Sequence, residues 1–192
     1  MFSVLLDLQR LKRLDRTGWV LRGLAPGAES VAAHSYGVAL ASMLLADEVR
    51  ARGLEVDVER VLRLALLHDL AETRTGDMPR TMADYYDAEA RRRAERAAFD
   101  DVMRGADEAE RYGELHADYE ERASLEARLV KAADIIDLLA QALYFERAGA
   151  RGLDEFWENA TEREFKLEGA AREVVAEVIA SLVAARRELG GS

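Results

Sequence analysis

The chain has 192 residues, 49% of them hydrophobic, a formal net charge of −10, two prolines and no cysteine. That length suits one domain whose core needs neither disulfides nor structural zinc. The missing cysteines exclude zinc fingers, iron–sulfur clusters and thiol catalysis, and the acidic balance argues against a nucleic-acid polymer as partner, because polyphosphate is repelled at long range.

Abundant Ala, Leu, Arg and Glu without alternating β-branched runs predict an all-α protein, a single compact bundle of about seven to eight helices over residues 1–192. The first helix is expected from Phe2 to Leu14. An irregular stretch follows, "DRTGWVLRGLAPGAES", with glycines at 18, 23 and 27 and Pro26. Ser30 is a suitable N-cap for a second helix that runs to about Arg52 and stops at Gly53. Asp57 caps a third, read as continuous through "VERVLRLALLHDLAETR" to the Gly76–Pro79 turn. A charged helix, "DYYDAEARRRAERAAFDDVMRG", begins at Asp84. Its arginines and acids interleave at i, i+4 spacing, which describes a solvated face and not a basic patch. A weaker helix over Glu108 to Arg122 places His116 in the polar "RYGELHADYEE", read as surface. Ser124 opens a long apolar helix closed by Gly149. Two C-terminal helices over 151–189 are expected to pack on a core of about 28–150. The late aromatics Tyr144, Phe145, Phe156 and Trp157 read as core, with a dimer surface as the alternative.

No apolar run reaches the roughly 18 residues of a membrane span. The short apolar N-terminal stretch precedes its bases, the reverse of a secretory signal. A cytoplasmic protein with no membrane partner is the expectation.

Three apolar helices carry polar groups that do not belong in a core. His34 lies about one turn into the second helix, in "SVAAHSYGVALASMLLA". His68 and Asp69 interrupt "LALLHDLA". Asp134, in "LVKAADIIDLLAQAL", has Lys131 one turn before it and Asp137 one turn after, on one face. Singly, each has a plain structural explanation: a hydrogen-bonded core histidine, or an ion pair between Lys131 and Asp134. Together, two imidazoles and two carboxylates on separate apolar helices call for a shared charge partner, because an isolated buried ion costs several kcal/mol. One divalent cation is the simplest. A mixed N/O donor set suits Mn, Fe, Co, Zn or Mg and selects poorly among them. Four protein ligands leave positions open for water and a substrate oxygen, a catalytic arrangement. A di-iron carboxylate centre would need Glu-x-x-His pairs, which this chain lacks.

His34, the pair His68–Asp69 and then Asp134 resemble the H…HD…D signature of the HD-domain metal-dependent phosphohydrolases. "AETRTGD" after the pair and "LVKAADIID" some distance later make the resemblance specific. It covers about Leu11 to Glu146 and is strongest toward the 5′-deoxynucleotidase branch, with "LKRLDRTGWVLRG…ESVAAHS" most like its eukaryotic and archaeal members. The resemblance implies a phosphomonoesterase that hydrolyses (deoxy)nucleoside 5′-monophosphates, and a homodimer. It implies His34, His68, Asp69 and Asp134 as metal ligands, and Glu72 as the catalytic carboxylate acting on water. Asp77 is implied to bind the sugar 3′-hydroxyl, with room for a second magnesium near Glu72 and Asp77. Trp19 is implied to pack on the sugar. Bacterial members carry Arg immediately before this tryptophan; here it is Gly18, so Arg16, Arg22 and Lys131 stand as the cations for the phosphate.

From spacing alone, Glu72 follows Asp69 by three residues and His68 by four, which on a continuous helix sets it on the ligand side. Without the family, Glu72 reads as a helix-end acid, Asp77 as a turn former and Trp19 as a core anchor. Two other functions are weighed: a phosphodiesterase acting on a cyclic or linear nucleotide, and a nucleotide-binding regulatory domain without turnover. The lack of a second adjacent His pair disfavours the first, and Glu72 beside a full ligand set disfavours the second.

Overall fold

Capping side chains start several helices where the sequence places them. Ser30 Oγ accepts the Ala33 amide at 3.1 Å, Asp57 Oδ1 the Arg60 amide at 3.0 Å, and Ser124 Oγ the Ala127 amide at 3.0 Å. Each satisfies one of the amides a helix start leaves open. The computed structural model describes residues 1–79, 81–82 and 85–190. Its helices are α1 Phe2–Leu11, α2 Thr17–Val20, α3 Val31–Ala51, α4 Val58–Leu67, α5 Glu72–Thr75, α6 Ala88–Met103, α7 Ala109–Glu121, α8 Leu125–Arg147, α9 Asp154–Trp157 and α10 Gly169–Gly190, with a 3-10 turn over Ala160–Glu162. All but α2, α5 and α9 span ten residues or more. No strand forms among the described residues; one isolated antiparallel bridge joins Asp15 and Ser30. Nor is any helix among them long and apolar enough to cross a membrane.

Several boundaries differ from expectation. α1 stops at Leu11 instead of Leu14, because the Arg13 and Leu14 amides both close on the Arg10 carbonyl and Leu14 turns away to accept the Val31 amide at 2.8 Å. The stretch read as irregular contains the single turn α2. The third helix is not continuous. α4 ends at Leu67, and the chain then closes bonds at i, i+3 spacing, Leu70 to Leu67, Glu72 to Asp69, Thr73 to Leu70 and Arg74 to Ala71, as it enters the short α5. The tighter 3-10 geometry shifts the angular position of each residue. The charged helix begins at Ala88 with Asp87 as its cap; its expected start, Asp84, lies outside the described residues.

The residues fall into two units, Met1–Tyr36 with Leu66–Glu121, and Gly37–Ala65 with the chain from Arg122 onward. In the first, Phe99, Val102 and Met103 of α6 pack with Leu11, Val31, Leu70 and Ala71. Fully burying side chains of this size contributes roughly 1.5–3 kcal/mol each. The outer face of α6 carries the expected pairs, Arg91 with Glu95, Arg92 with Glu89 and Arg96 with Asp100. His116 is a correction: it is buried, not on the surface, and stacks on Phe99 with ring centroids 4.2 Å apart. Gly113, His116 and Tyr119 form a buried line at i, i+3 spacing that averaging along a polar stretch hides. Burial first, then the Arg96 charge, pushes the His116 pKa down to about 4 against a smaller opposing effect of Asp100.

In the second unit α8 packs on α10. Buried Leu129, Ala132, Ala133, Ile136 and Leu139 of α8 and Val174, Val175 and Ile179 of α10 supply its apolar faces. A Cβ at Gly37 would overlap the Asp137 carboxylate, which would have to shift to admit a larger residue. The late aromatics divide: Trp157 is buried, with the Arg186 guanidinium 5.0 Å from its ring, while Tyr144 is exposed.

Candidate active site

The glycine- and proline-containing loop after α2 returns the chain to its own start. The Arg16 amide donates to the Glu29 carbonyl at 3.0 Å, and Asp15 bridges Ser30. This pairing hangs α2 beside the first turn of α3, the turn that carries His34. The Leu67–Glu72 turn supplies His68 and Asp69.

These segments bring five of the sequence-selected residues together in the first unit. The His34 and His68 rings lie 5.5 Å apart at 67°, both buried, at 1% and 4% exposure. Asp69 Oδ2 sits 3.1 Å from His68 Nε2 and 3.7 Å from His34 Nε2. Arg16 Nη1 stands 3.4 Å from the same oxygen and 2.7 Å from Asp77 Oδ1. Asp77 is further held by Thr17, whose amide donates to Oδ2 and whose hydroxyl donates to the Asp77 carbonyl at 2.7 Å. Burial opposes ionisation of Asp69. The His68 charge and hydrogen bond, then Arg16 and His34, outweigh it and hold the carboxyl well below the usual carboxylate range.

The donor set fits a divalent cation. Two buried imidazole Nε2 atoms face one oxygen of the half-buried Asp69 carboxylate, the mixed N/O chemistry of first-row transition metals. An ion there would replace water lost on burial for three polar atoms at once.

The remaining candidates take these positions. Glu72 opens α5, three residues past Asp69, and its Oε2 is buried. Trp19 is 1% exposed, and its indole N–H donates to Glu29 Oε2. Arg22 is half-buried in the turn after α2. In the second unit, Asp134 is buried at 9% on α8 with Lys131 Nζ 2.7 Å from its Oδ2. Sequence reasoning missed Thr17 and Glu29. Nothing in their spacing marks them; both act through a loop closure that periodicity does not report.

The HD domain family matches residues 8–174. The chain belongs to the HD domain family. Within it, the protein named 5′-deoxynucleotidase HDDC2 of Xenopus laevis is 35% identical over 162 residues, 82% of this chain and 75% of that one. The 5′-deoxynucleotidase hdd1 of Schizosaccharomyces pombe is 32% identical over 157 residues, 78% of this chain and 75% of its own length. A solved structure of a conserved hypothetical protein from Pyrococcus furiosus superposes with a TM-score of 0.83 at 38% identity, covering 96% of this HD-domain chain and 99% of that one.

Proposed function

We propose that this HD-domain chain is a metal-dependent phosphomonoesterase that hydrolyses nucleoside 5′-monophosphates, deoxy forms in particular, to nucleoside and phosphate. The observation that carries it is the pair of buried imidazoles, His34 and His68, against the Asp69 carboxylate with the Arg16 guanidinium beside it. Metal-ligating nitrogen and oxygen atoms next to a fixed cation are what a phosphate ester requires. The 5′-deoxynucleotidase names of relatives at 32–35% identity support the substrate class.

Asp134 is the fourth ligand in this reading, supported by its place in "LVKAADIID" and by its burial on α8. These residues would hold a divalent cation, which would supply Lewis-acid polarisation and lower the pKa of water toward neutrality. Glu72 then accepts the proton of the attacking water, a general-base role typically contributing 10²–10⁴-fold. Arg16 orients the phosphate by charge-assisted hydrogen bonds, with Lys131 and Arg22 as further cations. Asp77 accepts the sugar 3′-hydroxyl and, with Glu72, offers carboxylates to a second magnesium. Trp19 bounds the sugar. The metal is one of Mn, Fe, Co, Zn or Mg.

The chain acts as one HD domain, in the cytoplasm and as a homodimer. Exposed Tyr36, Leu40 and Leu44, at i, i+4 spacing on α3, support a self-association surface, and the absence of cysteine is consistent with a reducing compartment.

The test is phosphate release from a panel of deoxy- and ribonucleoside 5′-monophosphates, cyclic nucleotides and dinucleotides, with metals added back after chelation. Metal-restored release from monophosphates, faster for the deoxy series, is expected. Preference for the diesters, or no release with any metal, contradicts the reading.

A further inference from the structure

Glu29 holds α2 at two points. Its carboxylate accepts the Trp19 indole N–H, and its backbone carbonyl accepts the Arg16 amide at 3.0 Å. One residue therefore holds the Arg16 backbone and the Trp19 side chain of the turn that carries Arg16, Thr17 and Trp19. Asp77 also grips this turn, through Arg16 and Thr17.

α2 has only four residues and no side-chain cap at its N-terminus. A single helical turn is not stable by itself, since nucleation consumes the gain from its first hydrogen bond. Its orientation has to come from tertiary tethers, and the carboxylates of Glu29 and Asp77 supply two. An indole N–H bonded to a carboxylate is stronger than one bonded to a neutral acceptor. Trp19, at 1% exposure, is held from one side by packing and from its polar edge by Glu29. Ser30, the next residue, caps α3. The same short segment thus sets both the Arg16–Trp19 turn and the start of the helix bearing His34.

We propose that Glu29 is a positioning residue for nucleotide recognition: by holding Trp19 and the Arg16 backbone it fixes the direction in which Arg16 meets the phosphate and Trp19 meets the sugar. This rests on the nucleotide-hydrolase reading above. Acting through Trp19 and the Arg16 backbone, Glu29 contributes to substrate binding more than to the chemical step.

Four variants test this: Glu29→Ala, Glu29→Gln, Trp19→Phe and the Glu29→Gln/Trp19→Phe double. Each is measured for kcat and KM on dAMP and AMP. Glu29→Ala raises KM for dAMP about tenfold, the order expected for losing a charge-assisted hydrogen bond, with kcat changed much less, and narrows the dAMP/AMP preference. Glu29→Gln keeps an acceptor oxygen and gives a smaller shift in the same direction. Trp19→Phe removes the donor, so its effect and that of Glu29→Gln are less than additive. In a Trp157→Phe background, Trp19 fluorescence shifts to the red in Glu29→Ala and less in Glu29→Gln. Should Glu29→Ala fail to fold, the Gln and Phe variants decide through the cycle. Unchanged KM and emission, a loss confined to kcat, or full additivity overturns the proposal. If the unsubstituted protein releases no phosphate from any nucleotide, the hydrolase reading fails, while the emission shift still reports whether Glu29 holds Trp19.

Discussion

Arg52 and Arg16, two of the arginines that hold more than one carboxylate, live in opposite surroundings. Arg52, in the second unit, contacts Glu48, Glu173 and Glu177, whose side chains are 54%, 68% and 61% exposed. Arg16, in the first, contacts Asp69 and Asp77, at 17% and 7%, while itself only 16% exposed. Water screens the first group, and exposed pairs of that kind contribute little to folding. The second group is removed from water at a cost that its own Coulomb attraction does not reliably repay. A helical protein has easier ways to fill that space with Leu and Val. Two buried histidines stand against the same Asp69 carboxylate, and it is this conjunction that the proposed metal site rests on.

Substitutions can break or sharpen that contrast. Glu72→Ala has the largest expected effect, a loss of at least ~10²-fold in phosphate release by the general-base range, with metal content retained. Full activity in that variant removes Glu72 from the chemistry. Arg16→Ala raises KM for the nucleotide roughly 10–100-fold, the scale of a lost hydrogen bond to a charged group. Its counterpart, Arg52→Ala, leaves KM, kcat and the melting temperature within experimental scatter. Equal effects of the two arginine substitutions on KM dissolve the distinction drawn between them.

Much of this was readable from residue order. The N-caps Ser30, Asp57 and Ser124 and the apolar faces of α3 and α8 follow local rules, and His34, His68 and Asp69 stood out because imidazole and carboxylate are costly among leucines. The break after Leu67 was not legible. "LALLHDLAETR" has good helical periodicity, and only the 3-10 bonds from Asp69 to Glu72 and from Leu70 to Thr73 reveal where the helix ends. His116 was misread for a related reason: its neighbours in sequence are polar, but its neighbours along the helix face, Gly113 and Tyr119, are buried. Thr17 and Glu29 escaped because both act across a loop, where contacts depend on closure geometry and leave no period in the sequence. Asp77 was selected, but its grip on Arg16 and Thr17 belongs to the same class of long-range contact.

The account depends on His34, His68, Asp69 and Asp134 holding one divalent ion. Its most direct test is metal content per chain, by elemental analysis after purification and after chelation and reloading, in the unsubstituted protein and in folded Asp69→Ala. One tightly held ion per chain in the former, with neither metal nor phosphate release in the latter, is the predicted result. An Asp69→Ala chain that still hydrolyses nucleotides, or an unsubstituted chain fully active after its metal is stripped, would contradict it.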